Sequence, residues 1–326
     1  MLRRTKKRAV NIVLFLIIVI ITAVVGKEGI ILASNNDGVI IQTPPTVAAL
    51  PLLWMKEEGK LGEGFELEIN ISPDHNRAVN LISRGDIDLM VTGVNVGARA
   101  FNREIDVRMI NTNIWAIDYL LTKGFQPENW DELKGKTLSL PLKGGPLDFL
   151  VRYLMRENGV DPEQVEIVYM PLANGAGSFQ LGKLDAIVLP EPQVTIVLSK
   201  TDDAYLAMDL QQEWACFHDG DQRIPFVGLF AAGGFIEDNP ELAEKIKGLY
   251  REGVDWVQEH PEEAAILASD YFDIPAGVIK GSFKRINLNY YSEAVSRSLI
   301  EIYFREILEM YPDMIGGQLP DEEFYF

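Results

Sequence analysis

Four short stretches join hydrogen-bonding side chains to small residues where an apolar run gives way to a helical pattern. They are Gln42–Thr43, Thr92–Gly93–Val94–Asn95, Lys143–Gly144–Gly145 and Asn174–Gly175–Ala176. A fifth apolar run, Ala186–Leu189, ends at Pro190–Glu191–Pro192. Such stretches suit reversible capture of a polar molecule. In open α/β sheets ligands bind outside the carboxyl ends of the strands, free N–H groups at helix starts favour anionic or strongly polar groups, and glycine lets the backbone come close to a ligand. One such turn is an ordinary cap or tight connection. Four spread over the chain imply a cleft.

Catalytic patterns are missing by comparison. The chain has no G-x-x-x-x-G-K-[ST], no G-x-G-x-x-G and no H-E-x-x-H. In Gly175–Ala176–Gly177–Ser178 the serine falls one position late for a nucleophile elbow, so Ser178 reads as a helix-start residue. His75, His218 and His260 are far apart, and His218–Asp219–Gly220–Asp221 reads as a solvated turn rather than a metal loop. Cys216, the single cysteine, excludes an intrachain disulfide, a zinc cluster and a cysteine iron–sulfur site, and its apolar neighbours suggest packing. No catalytic residue, metal ligand or cofactor is expected.

The elements that must position these turns alternate in type. Val39–Ile41 reads as a strand, and a helix follows with Val47, Leu50, Leu53 and Trp54 inward, stopping at Glu58–Gly59. Phe65–Ile71 alternates with period two, a half-buried strand. A helix with Ala78, Leu81 and Ile82 ends at Arg84–Gly85, and strands follow at 88–91 and 107–110. The pattern then restarts, with strands at 137–140, 165–169 and 186–189 and helices opening at 148 and 174. Strand–helix alternation with short links implies mostly parallel sheets flanked by helices. Segments 117–121 and 226–230 are expected to cross between two such lobes. Beyond 231 the chain reads as helical, with Leu242, Ile246, Leu249, Gly253 and Trp256 on one buried face.

The chain has 326 residues, 30 basic and 48 acidic, for a net charge of −18. Five of the basic residues (Arg3, Arg4, Lys6, Lys7 and Arg8) precede the apolar run 9–26, so the remainder is more acidic still. That balance leaves no basic footprint for nucleic acid. A basic start followed by about 18 apolar residues is the layout of an export signal, or of an anchor if uncleaved. Residues 1–33 are assigned to it, with Val24–Val25–Gly26 and Leu32–Ala33–Ser34 as cleavage candidates. The positive flank would leave the rest of the chain extracytoplasmic.

Four stretches carry a resemblance. Asn80-Leu81-Ile82-Ser83-Arg84-Gly85-Asp86-Ile87-Asp88-Leu89, with its Thr–Gly turn, resembles the second helix and strand of periplasmic substrate-binding proteins of ABC importers. Tyr169–Ala173 leading to Gly182-Lys183-Leu184-Asp185-Ala186-Ile187-Val188 and Glu191–Pro192 resembles the matching stretch of their second lobe. Trp130–Thr137 resembles the linker before that lobe, and Phe235–Glu241 the start of the C-terminal helices. The group concerned covers binders of sulfonate, taurine, nitrate and thiamine-pyrimidine precursors.

The resemblance implies a two-lobed, type II periplasmic-binding-protein fold, each lobe a mixed, mostly parallel sheet flanked by helices. Lobe 1 would comprise 38–121 and 231–326, and lobe 2 would be inserted as 122–230. Gln42 ends the first strand; beside it, by resemblance, Thr43 and Pro44 line the first wall with Thr92, Gly93 and Asn95. Asn113 and Trp115 reach the cleft near the hinge, Trp115 able to stack on a ring. Gly144 and Gly145 offer backbone N–H groups, Asn174 its side chain, and Glu191 a charge. Lys143–Gly144–Gly145–Pro146 replaces the Ser/Thr-rich turn of sulfonate and taurine binders, and Glu191 favours a ligand with amine, amidine or pyrimidine donors. The implied function is capture of a small polar or heteroaromatic metabolite and its delivery to an ABC permease with its ATPase. The alternatives are an enzyme on the same fold, resembling a menaquinone-pathway lyase or a pyrimidine-precursor synthase, and a membrane-tethered ligand sensor.

Overall fold

The computed structural model describes residues 38–326, and the apolar run at 9–26 with its cleavage candidates lies outside them. Two five-stranded mixed sheets organise the chain. The first is built from β1 (Gly38–Thr43), β2 (Glu66–Ile71), β3 (Leu89–Gly93), β4 (Val107–Ile114) and β10 (Val227–Ala232), in the order β2-β1-β3-β10-β4. The second is built from β5 (Asp118–Lys123), β6 (Thr137–Leu140), β7 (Glu166–Tyr169), β8 (Ala186–Pro190) and β9 (Ala204–Asp209), in the order β7-β6-β8-β5-β9. In each sheet three parallel strands are followed by an antiparallel fourth, β10 in one and β5 in the other. The divisions expected at 121 and 230 fall inside β5 and β10. These strands pair as members of opposite sheets, so the crossings lie just before each of them.

The first sheet is flanked by α1 (Leu50–Glu57), α2 (His75–Ser83) and α3 (Val94–Asn102). The second carries α4 (Pro146–Glu157), α5 (Leu172–Gln180), α6 (Gln193–Lys200) and α7 (Leu210–Ala215). The C-terminal helices are α8 (Gly233–Asp238), α9 (Pro240–Glu259), α10 (Pro261–Phe272), α11 (Ala276–Phe283) and α12 (Glu293–Met310).

Two of the stretches that carried the resemblance perform the same job in each sheet. Gly85 (φ 73°) and Gly182 (φ 70°) take the left-handed conformation just after α2 and α5, where a side chain would be strained. Three residues on, Asp88 Oδ2 accepts from Ile40 N (2.8 Å) and Asp185 Oδ2 from Thr137 N (2.9 Å). The backbone repeats the link: Asp88 N donates to Ile40 O (2.9 Å) and Asp185 N to Thr137 O (3.1 Å). Each carboxylate thus ties the approach of the central strand, β3 or β8, to its parallel neighbour, β1 or β6. Burial raises the Asp88 pKa above the ordinary carboxylate value, opposed by the Ile40 N–H.

The hydrophobic core is continuous across both sheets. Tyr303 of α12 packs edge-on to Phe149 of α4, ring centroids 5.7 Å apart, and lies 6.1 Å from Trp214 of α7. A smaller core on the other face of the second sheet includes Leu121, Phe179, Ile187, Leu189 and Val197. The buried face of α9 is turned from the expected one. Ala243, Ile246, Tyr250, Gly253, Val254 and Val257 are buried, and Leu242, Leu249 and Trp256 flank them half-buried. Close approach to α1 causes the turn, since a side-chain carbon at Gly253 would sit 2.8 Å from Pro51.

Other expectations also shift. Ser178 lies in the last turn of α5, which opens at Leu172 behind Pro171 rather than at Asn174. Cys216 is exposed rather than packed, because it follows the end of α7 with only its Sγ near Gln212 O (3.5 Å).

Candidate functional site

Strand register brings the carboxyl edges of the two sheets to a common crossing. Val227 lies opposite both Gly93 at the end of β3 and Ile114 at the end of β4. Asp118, which opens β5, lies opposite Pro190 at the end of β8. Only Trp115, Ala116 and Ile117 separate the two edges. This crossing is bonded on both flanks. Trp115 N donates to Asn287 O (2.8 Å), Asn287 N to Ala116 O (2.9 Å) and Asn289 N to Asn113 O (2.9 Å) on one side. Ile224 N donates to Trp115 O and Phe226 N to Ile114 O (both 2.9 Å) on the other.

At the first edge Gln42, Thr43, Pro44, Thr92 and Asn95 are all buried, and Gly93 is half-buried. Gln42 is in register with Met90, two residues before Thr92, so Gln42 and Thr92 share one face of the sheet. Gln42 Nε2 is enclosed with no partner among the described residues. The Asn95 amide folds back over the strand end, its Oδ1 2.8 Å from where a side-chain carbon at Gly93 would stand. Asn113 lies inside β4, which runs four residues beyond the expected end of that strand. Its Nδ2 donates to Asn111 Oδ1 (3.0 Å), leaving Asn113 Oδ1 and Asn111 Nδ2 unpartnered among the described residues. Asn111 is opposite Leu229, which is opposite Val91, so this pair is on the other face from Gln42 and Thr92. The structure therefore does not bring Asn113 to the Gln42 face.

Three expected roles are corrected by the hydrogen bonding. Trp115 is fully buried; its Nε1 donates to Asn289 O (3.0 Å) and its ring meets Tyr291 edge-on at 5.0 Å, so it holds the crossing and has no open face for a ligand. Glu191 is enclosed as well. Its carboxylate pairs with the Arg285 guanidinium and accepts from Thr195 N and Thr195 Oγ1 (both 3.0 Å), so its charge is spent inside the protein. The backbone donors of the glycine turn are also taken, Gly144 N by Asp148 Oδ2 (2.8 Å) and Gly145 N by Leu142 O (3.2 Å). Asp148 in turn accepts from Arg152 Nε (2.9 Å) and Tyr169 OH (2.8 Å), which fixes the turn's shape. Asn174 is exposed in the first turn of α5.

Sequence reasoning missed three residues here. His75 opens α2 behind the Asp74 cap, and its Nδ1 is 2.9 Å from Thr92 Oγ1. The strand-end rule that flagged Gln42 and Thr92 applies equally to the end of β2, four residues earlier. Burial holds the His75 pKa below the usual imidazole value, against the opposing charge of Asp74. Asp118 at the crossing is buried, and desolvation pushes its pKa up to about 7. Arg285, in the segment after α11, reaches across to Glu191 and accepts at its carbonyl from Tyr119 OH (2.7 Å). No local sequence signal marks either Asp118 or Arg285. Among the described residues no group of three His, Cys, Asp or Glu could hold a metal ion.

Two mixed sheets flanked by helices, joined at their carboxyl edges by a short crossing, define the two-lobed fold of periplasmic binding proteins. Solved structures share it. An ABC transporter protein from Parabacteroides distasonis superposes with a TM-score of 0.77 at 18% identity, covering 89% of this chain and 99% of that one. The periplasmic aliphatic sulphonate binding protein SsuA from Escherichia coli gives 0.69 at 15% identity, covering 87% and 98%. The periplasmic nitrate-binding protein NrtA from Synechocystis PCC 6803 gives 0.66 at 14%, covering 86% and 84%. The NMT1/THI5 like family profile matches residues 61–264, and the chain belongs to that family. The candidate binding protein YtlA of Bacillus subtilis (strain 168) is 24% identical over 161 residues, which span 48% of this chain and about half (46%) of that relative.

Proposed function

We propose that the chain is the extracytoplasmic solute-binding component of an ABC import system, closing its two lobes over a small polar or heteroaromatic metabolite and delivering it to a permease with its ATPase. The observation that carries this reading is the buried, unpartnered amide of Gln42 beside Thr92 at a sheet edge that meets a second such edge. A buried polar group without a partner is costly, and a ligand filling the gap between the edges would repay it. Gln42, Thr43, Pro44, Thr92, Gly93 and Asn95 are the proposed first wall, with Asn174 facing them from the second lobe. With Glu191 neutralised by Arg285, the wall is built of amides and hydroxyls, which suits a polar ligand held by hydrogen bonds. Hinge closure would trap it by desolvation alone, with no covalent step.

The basic start and apolar run before residue 27 support export, with the segment acting as a cleaved signal or an anchor. Among the described residues no helix is long and apolar enough to cross a membrane. Native mass spectrometry of the purified full chain, before and after unfolding and refolding, tests the reading. A small molecule released on unfolding, and rebound on adding it back, is the expected result. A chain that carries none, and whose melting temperature is unmoved by a screen of pyrimidines, flavins, sulfonates and amines, would refute it.

A further inference from the structure

We propose that His75 is a specificity-determining residue of the cleft, presenting Nε2–H beside the Gln42 amide to a hydrogen-bond acceptor atom of the ligand; this rests on the solute-binding reading. The argument begins with Thr92. Its side chain is fully buried, and the only partner of Oγ1 among the described residues is His75 Nδ1 at 2.9 Å. If Nδ1 carried the proton, the Thr92 hydroxyl hydrogen would be buried with no acceptor. The hydroxyl must therefore donate to Nδ1, which leaves the proton of the neutral ring on Nε2.

Nε2 lies on the far side of the ring from Thr92, has no protein partner among the described hydrogen bonds, and the His75 side chain reaches solvent. Desolvation where the ring meets the Thr92 strand end lowers its pKa from the usual imidazole value. The strand register supplies the second donor. Gln42 stands opposite Met90, on the face that Thr92 continues; the residue is only 2% exposed, and its Nε2 is enclosed without an acceptor among the described residues. A face built of donors selects acceptor-rich groups: a carbonyl, an unprotonated ring nitrogen or an oxyanion oxygen. The shared chemistry is the acceptor atom.

The test uses the full chain with imidazole 15N labelling, which is resolvable because there are three histidines. In the ligand-free protein the His75 resonances, assigned by their loss in His75→Ala, should show the Nε2–H tautomer; the Nδ1–H tautomer overturns the proposal. Uracil, nitrate and ethanesulfonate are then titrated separately, which distinguishes a carbonyl from an oxyanion as the source of the acceptor. The probe that binds should shift Nε2, and His75→Ala should weaken it roughly tenfold, the loss of one ligand hydrogen bond. His75→Gln, whose amide nitrogen can stand in for Nε2, should recover most of that loss. A probe that binds wild type and His75→Ala equally overturns the role of His75 and leaves the binding reading intact. If none of the three moves the wild-type spectrum or melting temperature, the acceptor-selective cleft itself is refuted.

Discussion

Asp118→Asn should stabilise the protein above neutral pH. Asp118 opens β5 directly after the crossing, only 4% exposed, and desolvation raises its pKa from 3.8 to about 7. Gln211 holds the backbone here, its Oε1 accepting from Ile117 N (3.1 Å) and Asp118 N (2.9 Å), and no bonded cation faces the carboxylate. Between about pH 4 and 7 the native state holds a proton that the unfolded chain has released. The unfolded state then binds fewer protons, so stability falls as pH rises through this window and levels off above it. A displacement of about three pKa units at 1.36 kcal/mol each amounts to about 4 kcal/mol at pH 8. The asparagine keeps the shape of the neutral carboxyl and cannot ionise. Urea unfolding followed by tryptophan fluorescence at pH 4, 5, 6, 7 and 8 should give nearly matching stabilities at pH 4, with the variant pulling ahead as pH rises to a lead of up to about 4 kcal/mol at pH 8. Parallel pH profiles for the two proteins, or a variant weaker at pH 8, would refute the reasoning.

The paired strand anchors can be compared directly: Asp88→Ala and Asp185→Ala should each cost about 1–3 kcal/mol, since Ile40 N or Thr137 N is left without its acceptor. Chemical denaturation checks this, and a change under 0.5 kcal/mol at both sites would contradict the shared role. Glu191→Gln removes the partner of Arg285 at a fully buried carboxylate, so it should destabilise folding by about 3 kcal/mol. Its ligand affinity should change less than that of Gln42→Ala, and calorimetry showing the reverse order would return Glu191 to the binding wall. Cys216, exposed beyond α7, should react with one equivalent of a thiol reagent in the native protein at the rate seen in urea; strong native protection would contradict its placement.

Much of the fold was legible in the sequence because it is written in local periodicity. Alternation over 65–71, the apolar runs at 39–41, 88–91 and 186–189, and the glycines at 85 and 182 each specify an element through neighbours a few residues away. Two of the stretches that carried the resemblance share a Gly-x-x-Asp spacing, and the structure gives its reason in the two carboxylates that hold Ile40 N and Thr137 N. Element boundaries slipped where tertiary contacts decide them. β4 runs on to Ile114 because β10 and the segment at 288 pair with it, and α9 turns its buried face to accept Pro51 against Gly253.

The candidate site divides along the same line. That Gln42 and Thr92 end strands of an α/β sheet and Asn95 opens the helix after one is a property of the sequence, as is the absence of a catalytic motif. Which of the expected groups is free to meet a ligand is not, because a donor or a charge is available only if nothing nearer has claimed it. Arg285, 94 positions from Glu191, claims its carboxylate; Asn289 claims the Trp115 indole; Asp148 claims the Gly144 N–H. His75 was read as an isolated histidine until the fold set it against Thr92, 17 positions away. Sequence fixes which groups can bond. The tertiary structure decides which bonds are already made, because a hydrogen bond depends on a few ångströms of separation that local pattern does not encode.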